Sequence, residues 1–110
     1  MGMKKRGPLT ESTYYILLAL QEANHGYGMM QMIEQITQGE VEIGPGTLYG
    51  ALGKLEKQGA IQTTTCPDSS DERRKCYILT DEGRMLLVDE YQRMKRVVSV
   101  SDQWVKEAVK

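Results

Sequence analysis

The 110-residue sequence predicts a mainly α (α+β) fold in which three helices precede a two-stranded hairpin and a long final helix. Apolar residues recur at helical spacing in the first half of the chain, and two β-rich segments then flank a polar loop. Thr80-Asp81-Glu82 next opens a helical pattern that extends toward Lys110. With 40% hydrophobic residues, a chain of this length can bury one modest core.

The first helix is predicted to begin after Thr10, whose hydroxyl suits an N-cap. Segment 14–20 is apolar on all sides, which is typical of a helix buried in a core or in a subunit interface. Gly26 and Gly28 are predicted to end this segment in a tight turn. We interpret His25, the single histidine, as a turn or cap residue.

The second helix is predicted over residues 27–37, and Gly39 ends it. Its predicted core face consists of Met29, Met32, Ile33 and Ile36. Segment 40–43 alternates polar and apolar residues, which predicts a very short strand.

The third helix is predicted over residues 45–58, with Pro45 in its first turn and Gly59 at C′. Its predicted core face consists of Leu48, Ala51, Leu52 and Leu55. The opposite side, which we call the glycine face, consists of Gly46, Gly50, Gly53 and Lys57, with Thr47, Tyr49 and Lys54 at its flanks. Interior glycines cost a helix roughly 0.5–1 kcal/mol each relative to alanine, so close approach to a bulky partner would explain them. The alternative is a surface that tolerates glycine.

Segments 60–65 and 73–79 are predicted to form the hairpin, with a polar tip between them. Arg73-Arg74-Lys75 gives the second strand three consecutive cations, which would clamp phosphates beside the third helix. Because side chains alternate along a strand, at most two of these cations point the same way. The alternative is a solvated strand whose charges Asp71 and Glu72 neutralise.

The two cysteines, Cys66 and Cys76, lie at equal sequence distances from Asp71 in the tip. In a hairpin symmetric about Asp71 they would be cross-strand neighbours with Cβ atoms ~4.5–5.5 Å apart. We expect two reduced thiols, as is usual in the cytosol. The alternative is a disulfide that stiffens the hairpin and acts as a redox switch.

The final helix carries apolar residues at heptad-like spacing. The predicted dimer-interface residues are Leu87, Tyr91, Met94, Val98 and Val105, joined by Tyr14 and Leu17 of the first helix. One domain cannot cover both this seam and the apolar first helix, so we expect a homodimer. The run Val97-Val98-Ser99-Val100-Ser101 is a poor helix former, so the sequence leaves open whether the helix continues past Val98 or kinks or breaks there.

This order of elements predicts a winged helix-turn-helix with a two-stranded wing and a long C-terminal dimerisation helix, the third helix being the recognition element. We divide the chain into a flexible basic N-terminal arm (1–8), a DNA-binding domain (9–80) and the dimerisation helix (81–110). The glycine face and the cations of the wing favour double-stranded DNA as the partner. The net charge of −1 slightly favours a rival, a winged-helix module that binds protein and not DNA.

The composition offers little support for an enzyme, because no nucleophile or acid–base constellation stands out. One histidine and two cysteines argue against a zinc site, and we expect neither a metal nor a cofactor. No apolar run approaches the ~18 residues of a membrane span, and no apolar segment follows the basic N-terminus as in a signal peptide. We therefore expect a cytoplasmic protein without a membrane partner.

Several runs within residues 9–87 match the motifs of a known family. They are Leu9-Thr10, Ile16-Leu17-Leu18-Ala19-Leu20, His25-Gly26-Tyr27-Gly28, Gly44-Pro45-Gly46-Thr47-Leu48-Tyr49, Ala51-Leu52, Leu55-Glu56, Gly59 and Arg73-Arg74-Lys75-Cys76-Tyr77-Ile78-Leu79-Thr80-Asp81-Glu82-Gly83. Together they resemble the PadR family of bacterial transcriptional regulators, and the single C-terminal helix resembles its short-tailed branch.

The resemblance implies a homodimeric repressor that binds a pseudo-palindromic operator and is released by a small planar hydrophobic ligand. In drug-responsive members an aromatic pocket forms between the C-terminal helices, which implies Tyr91 and Met94 as ligand-binding residues. Those members use tryptophan near the Met94 position, whereas Trp104 lies about three helical turns later in this sequence. A packed interface without a pocket is therefore the alternative.

Overall fold

A computed structural model describes residues 7–67 and 74–109, in which four helices surround a small antiparallel sheet. The elements are α1 (Glu11–Ala19), β1 (Asn24–His25), α2 (Gly26–Ile36), α3 (Pro45–Lys57), β2 (Ile61–Thr65), β3 (Lys75–Leu79) and α4 (Asp81–Ala108). The predicted class, a winged helix-turn-helix with a long last helix, is confirmed. None of the helices in these two ranges is long and apolar enough to cross a membrane.

Three of the four described helices begin at a side-chain cap. The bonds run from Thr13 N–H to Thr10 Oγ1 (3.1 Å), from Gly28 N–H to His25 Nδ1 (3.0 Å) and from Gly83 N–H to Thr80 Oγ1 (3.1 Å). Each bond satisfies an N–H that has no partner inside the helix. The predicted caps Thr10 and Thr80 are confirmed, and His25 is the cap of α2.

The connection between α1 and α2 differs from the prediction. Gly26 and Gly28 lie in the first turn of α2 and do not end the preceding helix, which ends at Ala19 with Leu20 as its C-cap. Between the two helices, β1 pairs with β3, and a strand of two residues is too short to show a period in sequence. Gly26 is glycine because a Cβ there would collide with the hydroxyl of Tyr49.

The predicted strand over residues 40–43 is wrong. The Val41 N–H donates to Thr37 Oγ1 at 3.1 Å, and the segment pairs with no neighbouring strand. A segment with alternating polar and apolar residues forms a strand only where a neighbouring strand offers free backbone groups. In this sheet β1, and not segment 40–43, pairs with the free edge of β3. The predicted core face of α2 also loses Ile36, which is 48% exposed at the end of that helix.

The hairpin register corrects the expectation for the cysteines. The sheet has the order β1-β3-β2, and Thr64 lies opposite Cys76. Ile61 pairs with Leu79, so the register is centred on position 70, one residue before Asp71. Cys66 therefore lies diagonal to Cys76, and the two form a disulfide with Cα atoms 5.2 Å apart. The expected reduced thiols are wrong for this structure, and the direct opposition that symmetry about Asp71 would give does not occur.

The core lies between α1, α2, α3 and the first half of α4. The predicted core face of α3 is confirmed, since Leu48, Leu52 and Leu55 are at most 3% exposed. α4 comes very close to the start of β2, because Gly83 packs directly on the carbonyl of Ala60. This contact seats the base of α4 against the wing.

α4 runs without a break through the valine- and serine-rich segment, so the helix continues past Val98, a point that the sequence left open. The Ser101 hydroxyl donates to the Val97 carbonyl at 2.6 Å, within the helix. The propensity cost of a β-branched residue is only a few tenths of a kcal/mol, too little to interrupt a long helix.

Candidate nucleic-acid interface

The glycine face of α3 is exposed along its whole length. A Cβ added to Gly46, Gly50 or Gly53 would meet no atom within 4 Å. Nothing inside the described chain therefore requires glycine at these positions. The structure thus brings together the stripe that the sequence predicts and leaves it open to a partner.

The flanks of the glycine face differ in charge. A shallow groove along α3 is lined by Tyr49, Gly50, Gly53, Lys54, Glu56 and Lys57. Lys54 and Lys57 lie in the last turn of α3, where cations also favour the helix dipole. The sequence prediction omitted Glu56, which gives the Tyr49 side of the groove an acceptor and one negative charge.

Tyr49 has two roles that sequence reasoning did not separate. Its side chain is 54% exposed beside the glycine face, yet its hydroxyl lies against Gly26 at the start of α2. The Tyr49 hydroxyl therefore occupies the space beside Gly26, between α2 and α3, while the side chain as a whole remains half exposed. Thr47, on the opposite flank, is exposed.

The wing supplies two described cations. Arg74 and Lys75 are exposed, and the Lys75 Nζ lies 5.6 Å from the centroid of the Tyr77 ring. This cation–π contact restrains Lys75 on the Tyr77 face of the strand. Arg73 and the basic residues Lys4-Lys5-Arg6 lie outside the described residues.

A second candidate site lies between α1 and α4. An open, mainly apolar pocket of about 450 Å³ is lined by Tyr14, Tyr91, Met94, Lys95, Val98, Ser99 and Asp102. Burial of the ring, followed by the nearby Tyr91 and Glu90, raises the pKa of the Tyr14 phenol. An ordinary tyrosine phenol is already protonated at neutral pH, and the raised pKa extends this hydrogen-bond-donor state to more alkaline pH. The structure brings together Tyr91 and Met94, the predicted ligand-binding residues.

Beside this pocket, Glu90 is a buried carboxylate, 6% exposed, that joins the N-terminal segment to α4. It accepts bonds from Arg93 Nε at 2.9 Å and Nη2 at 2.7 Å, and from the Leu9 N–H at 3.3 Å. The bonds from Arg93, together with the one from Leu9, hold the pKa of Glu90 below its ordinary value. No sequence signal distinguished this glutamate from the exposed acids of α4.

Two predicted dimer-interface residues need correction. Leu17 is fully buried and Leu87 is 7% exposed within the single chain, because both pack into its own core. Tyr91, Val98 and Val105 are 50%, 62% and 54% exposed, so these residues remain open to a second copy. The heptad-like spacing could not show where the chain's own core stops covering α4.

The model of the transcriptional regulator PadR-like family matches residues 16–89, well over half of the chain. The chain belongs to this PadR-like family. Its expected resemblance is thus confirmed.

Two solved structures are similar to this PadR-family chain over most of its length. A PadR family transcription regulator from Clostridium difficile R20291 has 27% identity and a TM-score of 0.71, covering 84% of this chain and 96% of that one. A transcriptional regulator from Clostridium thermocellum has 25% identity and a TM-score of 0.70, covering 86% and 92%.

A sequence relative is a 37.1 kDa protein in transposon TN4556 of Streptomyces fradiae. It is 36% identical over 83 residues, which cover 74% of the PadR-family chain. The match spans only 22% of that longer protein.

Proposed function

We propose that this PadR-family chain is a sequence-specific DNA-binding transcriptional regulator whose α3 enters the major groove. The glycine face of α3 carries the proposal. An α-helix with side chains is ~10–12 Å across, and the major groove is ~12 Å wide, so a helix without side chains on one face can lie deeper in the groove. Thr47, Lys54 and Lys57 then reach base edges and phosphates from the glycine face and its flank.

The cations of the wing also support an orientation in which α3 lies in the major groove. Lys75 begins β3, the central strand of the sheet, Arg74 immediately precedes it, and both side chains are exposed. Cations on a wing beside a recognition helix suit the phosphates that flank the groove. Such contacts set the register of the protein on DNA, while α3 reads the bases.

The net charge of −1 is compatible with DNA binding when the charge is segregated. The proposed surface carries Lys54, Lys57, Arg74 and Lys75, opposed by Glu56 in the groove on α3. Binding should therefore be weak on non-specific DNA and strongly dependent on salt.

We further propose a homodimer joined through the second half of α4. The stripe of α4 that packs on the core through Leu87 continues through Met94, Val98 and Val105. The last two side chains are more than half exposed in the single chain. A second copy of α4 would cover them, and the paired recognition helices would then meet half-sites about one helical turn of DNA apart.

The finer proposal is a repressor that a planar hydrophobic ligand releases. The pocket of Tyr14, Tyr91 and Met94 adjoins the proposed dimer contact, so a bound ligand would touch the part of α4 that is proposed to pack against the second copy. The flexible thioether of Met94 and the aromatic rings suit such a ligand. The single tryptophan, Trp104, lies on the same helix, so its fluorescence can be followed while a ligand is added.

The DNA proposal is tested by selecting duplexes from a random pool and then titrating the best one at several salt concentrations. Lys54→Ala and Arg74→Ala should weaken binding and reduce the log–log salt slope by about one unit per phosphate contact. Lys106→Ala, near the C-terminal end of α4, removes the same charge away from the proposed surface and should leave both values unchanged.

The selection also distinguishes the rival function. If no duplex is enriched and the wild-type chain binds DNA no better than the double variant Lys54→Ala/Arg74→Ala does, the DNA proposal is wrong and the module that binds protein is favoured. Enrichment of a pseudo-palindrome would support the homodimer as well.

The ligand proposal is tested with the probe ferulic acid, a planar phenolic acid, on the DNA-bound protein. Release of DNA by wild type, but not by a Met94→Glu variant that is first shown to bind the same duplex as a dimer, supports it. If neither protein responds to ferulic acid or to a planar cationic dye, the packed interface without a pocket is favoured.

A further inference from the structure

We propose that Cys66 and Cys76 are a reversible dithiol–disulfide site that sets how tightly the wing holds DNA, with hydroperoxides as the class of oxidant. This inference rests on the proposed DNA binding. It concerns the wing alone and requires no ligand in the pocket of α4.

The two cysteines differ in how firmly the fold holds them. Cys76 lies in the central strand β3, paired with His25 on one side and Thr64 on the other, and is 1% exposed. Cys66 lies one residue beyond the last described ladder pair, Thr65 with Lys75, and is 7% exposed. Reduction would therefore release the Cys66 side, while Cys76 stays in the sheet.

Reduction leaves the Cys66 thiol with a ready acceptor. Its sulfur lies 3.4 Å from the carbonyl oxygen of Arg74, so an S–H there can donate a hydrogen bond. The reduced site can thus remain buried without an unsatisfied donor. The paired strands can thus persist in either redox state, as a reversible switch requires, while only the oxidised state holds the Cys66 end covalently.

The position of the bond links it to the DNA surface. The disulfide closes the stretch 67–75, which contains Arg73, Arg74 and Lys75, all the cations of the wing. Arg74 faces Cys66 across the hairpin and Lys75 immediately precedes Cys76. The same covalent bond therefore constrains Arg74 and Lys75, the described cations of the wing that are proposed to contact phosphate.

The chemistry balances with one hydroperoxide per site. The Cys66 thiolate, the more exposed of the two, attacks the peroxide oxygen and becomes a sulfenic acid, and the alcohol or water leaves. The Cys76 thiolate then attacks the Cys66 sulfur, the S–S bond forms and hydroxide leaves as water. In sum, two thiols and ROOH give a disulfide, ROH and water, and a dithiol reductant reverses the result.

Oxidation should strengthen DNA binding, because the disulfide restricts the wing before it meets the DNA. A cross-link between Cys66 and Cys76 limits the conformations available to Arg74 and Lys75, so these two cations lose less freedom when they settle on phosphates. We therefore expect the oxidised protein to bind its selected duplex about fivefold more tightly than the reduced protein, roughly 1 kcal/mol.

The experiment titrates the full chain on that duplex after dithiothreitol and after stoichiometric hydrogen peroxide. Mass spectrometry under non-reducing conditions confirms an intramolecular bond by the loss of two hydrogens, and renewed dithiothreitol should restore the weaker binding. The matched control is Cys66→Ser/Cys76→Ser, whose affinity should resemble that of the reduced protein and ignore peroxide.

Each outcome decides the proposal. Tighter binding by the oxidised wild type alone, reversed by reductant, supports it. Equal affinity of the two wild-type forms, failure to form the bond, or the same peroxide response in the serine variant overturns it, and weaker binding on oxidation overturns the preorganised wing. If neither redox form binds any selected duplex, the proposed DNA-binding function itself has failed.

Discussion

The glycine face gives the sharpest test of the proposed interface, because stability and binding should change in opposite directions there. We expect Gly50→Glu and Gly53→Glu each to fold at least as stably as the wild type and to lose DNA binding. Both positions are exposed, and an added Cβ has open space around it. No packing cost therefore offsets the gain in helix propensity.

The expected gain in stability comes from the backbone, because glycine is a poor helix former. Replacing an interior glycine by a good helix former is worth roughly 0.5–1 kcal/mol. In a domain of this size such a gain raises Tm by about 2–8 °C. In the groove, by contrast, the new carboxylate lies among phosphates. We expect each glutamate variant to bind its selected duplex at least about tenfold more weakly, a loss of roughly 1.4 kcal/mol.

The assay pairs thermal unfolding with duplex titration at fixed salt and protein concentration. Gly50→Ala separates shape from charge, since it adds only a methyl group. Gln92→Glu adds the same negative charge at an exposed position of α4 and should leave affinity unchanged. If both glutamate variants bind like wild type, or if Gln92→Glu weakens binding equally, the glycine face is not the DNA surface.

Three further predictions concern the framework. Val98→Asp should dissociate the proposed dimer, as measured by sedimentation. Met85→Asp should not, because Met85 lies on another face of α4 although it is equally exposed (63%, against 62% for Val98). A Val98→Asp variant that remains dimeric would contradict the proposed interface. Gly83→Ala should destabilise the fold by about 1–3 kcal/mol in urea unfolding, because the methyl group meets the Ala60 carbonyl; no change would contradict the tight contact. Glu90→Gln should cost about 1–2 kcal/mol at pH 7. Folding lowers the pKa of Glu90, so the stability difference between wild type and Glu90→Gln should be complete above the ordinary pKa of a glutamate. It should vanish as the pH falls through the lowered pKa of Glu90 in the folded protein. A stability difference that does not change with pH would refute this reasoning.

The sequence by itself determined the order of the helices and the hairpin. Thr10, Thr80 and Gly59 are local signals: a hydroxyl that satisfies the first N–H groups, or a residue that tolerates positive φ, acts within a few neighbouring residues. The glycine face also follows from helical period alone. Such features need no knowledge of what lies across the core.

Only the tertiary structure decided the features that depend on distant partners. Alternation over residues 40–43 could not form a strand, because β1 occupies the available edge of β3. Leu87 belongs to the chain's own core and Val98 does not, since the core ends partway along α4.

The cysteines illustrate the same division. Their sequence spacing predicted a pair across the hairpin, but a shift of one residue in the centre of the register made Cys66 and Cys76 diagonal neighbours. Register is set by which strand faces pack on the core, not by the symmetry of the tip. The disulfide, and with it the constraint on the cations of the wing, thus came from packing that the local sequence does not encode.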